Sequence, residues 1–156
     1  MSKELCRAWA LFDPSGRLSA PAYRGLLMRM IVLGFGLLCL GIWLAALSLR
    51  WSGILVAAGT LPVILATSIQ TVRRLHDRNR SGWWLGAYIL AEATSLLPLE
   101  GVVDSYPIPV IGLVLAMLGF FVWFFLETVF RSGSPEANRY GAVPLDCKRL
   151  TLHASL

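Results

Sequence analysis

Windows of about 20 predominantly apolar residues recur along this chain, each long enough to cross a hydrocarbon core of about 30 Å. Hydrocarbon leaves no water to satisfy a peptide group, so such runs fold as helices whose backbone bonds are internal. Composition agrees: 56% of residues are hydrophobic, 15% are charged, and mean hydropathy is +0.66, far from soluble globular values. The expected fold class is all-α, an integral membrane four-helix bundle with short cytoplasmic termini. The expected organisation is one membrane domain with short tails, without room between them for a separate soluble domain.

The first 25 residues form an N-terminal segment. Lys3, Arg7 and Arg17 alternate with Leu5, Trp9 and Phe12 at roughly helical spacing, which fits either an interfacial helix or a frayed polar tail. Asp13-Pro14-Ser15-Gly16 is a turn cluster, Ser19 offers an N-cap, and Pro21 suits a first helical turn. No signal peptide is expected, because the apolar run starts late, is too long and lacks a small-x-small cleavage site. Within a membrane domain of 26–130 the spans are expected at about 26–49, 52–72, 83–99 and 108–130. Arg24 and Arg29 can snorkel at the first span's start. Arg50 to Gly53 reads as a hairpin, and Gly53, Ala57, Ala58 and Gly59 would admit a neighbouring helix closely. Pro62 should kink the second span. The third span is short, interrupted by Pro98, with a re-entrant segment as the alternative. Ser81 is its expected N-cap, and Trp83, Trp84 and Tyr88 resemble an interfacial belt. Residues 131–156 form a tail with a turn motif.

Charge placement sets orientation. There are 14 basic and 9 acidic residues. Lys3, Arg7, Arg17, Arg24 and Arg29 precede or open the first span, Arg73, Arg74, Arg78 and Arg80 lie between spans two and three, and Arg131, Arg139, Lys148 and Arg149 follow span four. Arg50 alone falls on the other side, beside Glu100 and Asp104. The positive-inside rule therefore puts both termini and the central loop in the cytoplasm, and that parity needs an even number of spans. The basic pI of about 9.6 reads as topology signal and anionic-lipid contact, not as nucleic-acid binding. Cys6, Cys39 and Cys147 have no paired spacing, so no disulfide framework is expected.

The densest polar chemistry lies in Arg73-Arg74-Leu75-His76-Asp77-Arg78-Asn79-Arg80-Ser81-Gly82-Trp83-Trp84. If span two continues as a helix, its basic residues complement the C-terminal dipole, and Asp77 can pair with Arg74 or Arg73 on one face. The plain reading is topology charge plus helix caps. Those needs, however, are met by fewer charges and without a His-Asp pair. After span four, Gly133 and Pro135 stop the helix and Asn138-Arg139-Tyr140-Gly141 forms a turn, with Gly141 suited to positive φ and Asn138 to bonding its own backbone. That turn is either a capped exit or a second cytoplasmic motif supplying Arg139 and Tyr140 to a shared site.

These motifs resemble the signature of the bacterial inner-membrane domain-of-unknown-function family numbered 805. The resemblance rests on Arg73 to Asp77 with Arg80 to Trp84, on Gly16-Arg17 with Tyr23, and on Gly133 through Asn138-Arg139-Tyr140-Gly141 to Pro144. It covers roughly residues 10–145. The sequence departs from the family at Ala20, where a second basic residue is usual, and at Arg24, where tryptophan is usual. The resemblance implies a multi-span inner-membrane fold and brings no established activity.

Catalytic constellations are sparse. His76-Asp77 would need further metal ligands, and Cys147 and His153 match no usual zinc spacing. No nucleophilic triad, phosphate loop or paired acid/base carboxylates assemble, so no catalytic residue, cofactor or metal is assigned. A histidine locked by Asp77 could sense pH. Glu92 is the one carboxylate expected inside the membrane, with Thr94, Ser95 and Thr60 as possible donors, or else it sits at the outer face. Glu127 stands one turn before Arg131 in a favourable order.

The leading function is a non-enzymatic binding or regulatory module. Arg73, Arg74, His76, Asp77, Arg80, Asn138, Arg139 and Tyr140 are the candidates to hold an anionic lipid headgroup or a partner's acidic segment. A protein partner or homo-oligomer fits as well. The alternatives are a small transporter or channel component using Glu92, and a membrane enzyme centred on His76-Asp77. Buried arginine needs a partner, so Arg73 or Arg74 should pair with Asp77 or Glu127, leaving the other arginine and Arg139 for the anion. Spans two and four should then meet at their cytoplasmic ends.

Overall fold

The computed structural model describes residues 11–144. Lys3, Leu5, Cys6, Arg7 and Trp9 of the N-terminal segment lie outside them, as do Cys147, Lys148, Arg149 and His153 of the tail. The described residues are all-α, with one isolated bridge between Asn138 and Gly141.

Helix α1 (Ala20–Ala46) begins after Ser19, which is extended at φ −65° and ψ 155°, with Pro21 in the first turn. Ser19 thus holds the N-cap position, although its side chain makes no capping bond. The helix starts before residue 26 because Arg24 and Arg29 remain exposed and cost its first turns no burial. Helix α2 (Arg50–Ala58) and helix α3 (Thr60–Asp77) follow, joined at Gly59. The interruption sits three residues before Pro62, which occupies the first turn of α3, where its missing N–H leaves no carbonyl of α3 unsatisfied. Together these two helices form one 28-residue apolar rod, Arg50–Asp77. Small residues bring α1 and α2 together: a Cβ on Gly41 would lie 2.9 Å from the Gly53 carbonyl oxygen and 3.1 Å from the Ala57 methyl.

Helix α3 runs past residue 72 to Asp77 and ends in a Schellman turn. Asn79 N–H donates to the His76 carbonyl at 3.0 Å and Arg80 N–H to the Leu75 carbonyl at 2.8 Å, with Asn79 left-handed at φ 56°. Helix α4 (Trp83–Ser95) starts after Gly82, one residue later than a Ser81 cap would place it. It stops before residue 99, in keeping with the bias of Pro98 against helix in the residue before it. Its 13 residues rise about 20 Å, too short for the full hydrocarbon core. A short helix α5 (Glu100–Val103) leads to helix α6 (Pro107–Phe125), whose last turns widen into a π-helix, Leu126–Phe130.

Aromatic pairs seat α4 against the second half of α6. Trp84 meets Trp123 at 4.9 Å between ring centroids, and Tyr88 meets Phe124 and Phe121 at 4.8 and 5.4 Å. Against α1 and α3, by contrast, the close contacts of this last rod come from its π-helical end.

Burial is inverted relative to a soluble domain. Large apolar residues stand outward along every rod, with Trp51 and Ile108 both 82% exposed. The largest fully buried side chains include Arg74, Gln70, Glu127 and Asp77. Three helices among the described residues are long and apolar enough to cross a membrane: Ala20–Ala46, Arg50–Asp77 and Pro107–Phe130.

An arginine–carboxylate knot as candidate functional site

The buried polar groups converge where α1 begins and where α3 and the π-helix end. Asp77 is the centre. Its Oδ1 accepts from Arg17 Nε at 3.1 Å and faces Arg17 Nη2 at 3.0 Å, while its Oδ2 pairs with Arg74 Nη1. All three side chains are at most 1% exposed. Two cations on one carboxylate leave a net positive charge, which backbone dipoles offset. Arg17 also donates to the carbonyls of Ser134 at 2.6 Å and Glu136 at 2.8 Å. Arg74 donates to the carbonyls of Thr128, at 2.8 Å, and of Arg131. These last are carbonyls that the ending helix leaves without intrahelical donors, so the guanidinium caps the helix C-terminus.

The π-helix explains why Glu127 and Thr128 point inward together. Its wider turn closes with Arg131 N–H donating to the Leu126 carbonyl at 3.2 Å, and the Thr128 hydroxyl covers the Phe124 carbonyl at 2.8 Å. Glu127, 1% exposed, then receives three arginines: Arg78 Nε at 3.1 Å, Arg131 Nη1 at 3.1 Å and Arg80 Nε at 3.8 Å. The guanidinium of Arg80 also stands over the rings of Trp84 and Trp123, at 5.7 and 6.0 Å.

The segment after the π-helix wraps back over the end of α3. Ser134 N–H donates to the Asp77 carbonyl at 2.9 Å and Asn138 Nδ2 to the His76 carbonyl at 2.9 Å, so both last-turn carbonyls are satisfied. Asn138 Oδ1 accepts from Tyr140 N–H at 2.9 Å, and Gly141 takes φ +129°, which closes the turn. The N-terminal segment is tied to the same helix: Leu18 N–H donates to the Arg73 carbonyl at 3.2 Å, and Gln70 Nε2 to the Leu11 carbonyl at 2.7 Å.

Two arginines of the cluster have no carboxylate within ion-pair distance among the described residues. Arg73 reaches Gln70 Oε1 at 3.2 Å, and its buried Nε has no hydrogen-bond partner there. Arg139 is exposed, touches the Asn79 carbonyl at 3.4 Å and stands over the Tyr140 ring at 4.7 Å. That ring stacks on His76, with centroids 3.8 Å apart and planes 7° from parallel. Nearby, the Ser15 N–H holds the Asp13 carboxyl below its ordinary pKa, with Arg73 a smaller attraction.

The structure thus brings Arg73, Arg74, His76, Asp77, Arg80, Asn138, Arg139 and Tyr140 to one end of the molecule, with Glu127 beside them. It separates His76 from Asp77. The carboxylate is taken up by Arg17 and Arg74 while the imidazole stacks on Tyr140, and His76 Nδ1 is buried without a hydrogen-bond partner among the described residues. Among those residues, no three His, Cys, Asp or Glu side chains are grouped to hold a metal. Glu92 lies apart from the knot, exposed near the end of α4. The hydroxyls of Thr94, Ser95 and Thr60 go instead to the carbonyls of Leu90, Glu92 and Ala57. Sequence reasoning left Arg17 and Arg78 off the site, although each binds a buried carboxylate. The signal was available in the surplus of arginine over acid near the motif.

Rods with outward apolar faces, fastened at one end by buried ionic groups, define a small helical membrane protein. A family model described as "Protein of unknown function (DUF805)" matches residues 11–142, and the protein belongs to that family. No curated protein and no solved structure matches it.

Proposed function

We propose that this protein is a non-enzymatic membrane module that crosses the bilayer four times, with both termini and the knot at the cytoplasmic face, and that holds an anionic lipid headgroup there. The unneutralised pair Arg73 and Arg139 carries this reading. Five other arginines share two buried carboxylates, whereas Arg73 and Arg139 have no described carboxylate within ion-pair distance, Asp13 being only a weaker attraction for Arg73, and Arg139 stands over the Tyr140 ring that stacks on His76. Guanidinium groups in that state bind phosphate oxygens through charge-assisted, bidentate bonds. The knot beneath them supports the geometry, because the end of α3 and the Asn138–Gly141 turn are held by hydrogen bonds rather than left to fluctuate.

Glycerol 3-phosphate, a headgroup without its acyl tails, tests the claim. Titrated into the purified full-length protein in neutral detergent and followed by phosphorus NMR, it should bind in a salt-dependent manner. Replacing Arg73 and Arg139 together by Gln should weaken it about tenfold or more, the scale expected for lost charge-assisted bonds. Equal binding by this double variant and the native protein would sink the assignment.

A further inference from the structure

A cleft opens inside the membrane-spanning part, separate from the Arg73–Arg139 surface. Its volume is about 670 Å³, within the range of sites that hold small molecules. It lies between α1 and α3 on one side and α4 and α6 on the other, and along α3 it runs from Thr60 to Thr71, about 16 Å at 1.5 Å per residue. The reason it exists is the splay of the last rod, whose close contacts to α1 and α3 lie at the π-helical end. The cleft is therefore a wedge, pinched at the knot and widening away from it.

Its walls decide what can fill it. Most hydroxyls along it are already used: Thr67 and Thr71 donate to the Val63 and Thr67 carbonyls, both at 2.8 Å, Thr128 donates to Phe124, and Tyr23 pairs with Thr71 at 3.0 Å. Ser68 and Tyr88 carry the lining hydroxyls without a hydrogen bond among the described residues. The remainder is aliphatic and aromatic, so the occupant is hydrocarbon along its length. A helix about 10–12 Å across is too wide for a wedge whose apex is formed by helices in contact, whereas a single acyl tail fits.

One end of the wedge is charged. Arg24 lies on the face of α1 that carries Ile31 and Phe35 of the wall, since residues seven and eleven apart recur on one helical face. Its guanidinium meets the carbonyl of Val129, itself a lining residue, at 3.5 Å, and it is exposed with no described carboxylate in ion-pair range. We infer that this cleft is a lipid site: one acyl tail of an anionic phospholipid occupies the wedge and its phosphate is held by Arg24. The inference rests on the protein lying in the bilayer as proposed above, and it uses a different arginine from the headgroup surface.

The test uses the purified full-length protein in neutral detergent, with phosphatidylglycerol or phosphatidylcholine added and bound lipid counted by native mass spectrometry. Phosphatidylglycerol should be retained in preference to phosphatidylcholine. Arg24→Gln should lower that retention about tenfold and Arg24→Lys should keep most of it. Ser68→Leu, which puts bulk into the wedge, should displace both lipids while the thermal melt holds. Arg73→Gln with Arg139→Gln should leave the Arg24-dependent lipid in place, so either site can fail alone. Equal retention of the two lipids, indifference to Arg24→Gln, or loss of a second protein copy rather than lipid in Ser68→Leu would each overturn the inference.

Discussion

Asp77 is the residue on which the interior depends. Removing a carboxylate that serves two buried guanidinium groups leaves both without counter-charge, a change that costs about 3–5 kcal/mol in comparable buried pairs. Gly133 is bound to the same atom group, because a Cβ there would overlap the Asp77 carboxylate although its backbone is not left-handed. Gly133→Ala should therefore destabilise by about 1–3 kcal/mol through overpacking alone. The two effects share one cause, so Gly133→Ala should cost little in an Asp77→Ala background. Thermal melts of both single variants and the double would measure the coupling, and additive losses would mean that Gly133 is confined by something else. At this scale the sequence was partly legible. The spacing of Arg74 and Asp77 placed them on one face, and Glu127 stood one turn from Arg131. The third partner, Arg17, is sixty positions from Asp77, and no local spacing reports a contact of that separation.

Among the elements, the α1–α2 hairpin is closed by glycine. Cβ atoms at Gly41 and Gly53 would each meet the other's carbonyl oxygen, at 2.9 and 2.5 Å, so the two backbones nearly touch. Gly53→Leu should pry the hairpin apart and lower stability by about 1–3 kcal/mol or more, read as a fall in the melting temperature of the detergent-solubilised protein. Gly36→Leu, at an exposed α1 position where an added Cβ meets nothing, should leave it unchanged. Equal effects at the two sites would remove close approach as the cause. The small residues at 53 and 57 announced this interface in the sequence, and periodic hydrophobicity located the long rods. The π-helix gave no such sign, because it depends on the Thr128 hydroxyl covering the Phe124 carbonyl and on Arg74, from another helix, capping its end. The early end of α4 lay within reach of Pro98, but a run of apolar residues up to 99 concealed it.

For the whole molecule the question is how a protein with three long rods arranges its ends. Asp77, at the end of the second rod, binds Arg17 just before the first and Ser134 just after the third, so those three ends lie together. The start of the third rod, Pro107, is then about 36 Å away at 1.5 Å per residue. Trp83 begins beside the knot, since its neighbour Trp84 packs on Trp123 near the third rod's end. Residues 83–106 must therefore carry the backbone from one end of the molecule to the other. Helix α4 supplies about 20 Å of that distance and the segment through α5 supplies the rest. This is the physical content of the four-crossing proposal, and it meets the charge argument independently. Nine of the ten basic residues among those described fall toward the knot's end, Arg50 being the exception, and the positive-inside rule expects cytoplasm there. Reporters inserted within residues 75–80 and fused after Leu156 should both read cytoplasmic, and one near Asp104 should read from the opposite face. Should Asp104 instead read cytoplasmic, residues 83–106 would form a re-entrant segment, and the third rod would have to start on the side where it ends. The contacts of Asp77 with Ser134 and of Arg78 with Glu127 could not then form in a membrane, so measuring both topology and the stability of Glu127→Ala would separate a wrong crossing from a wrong knot.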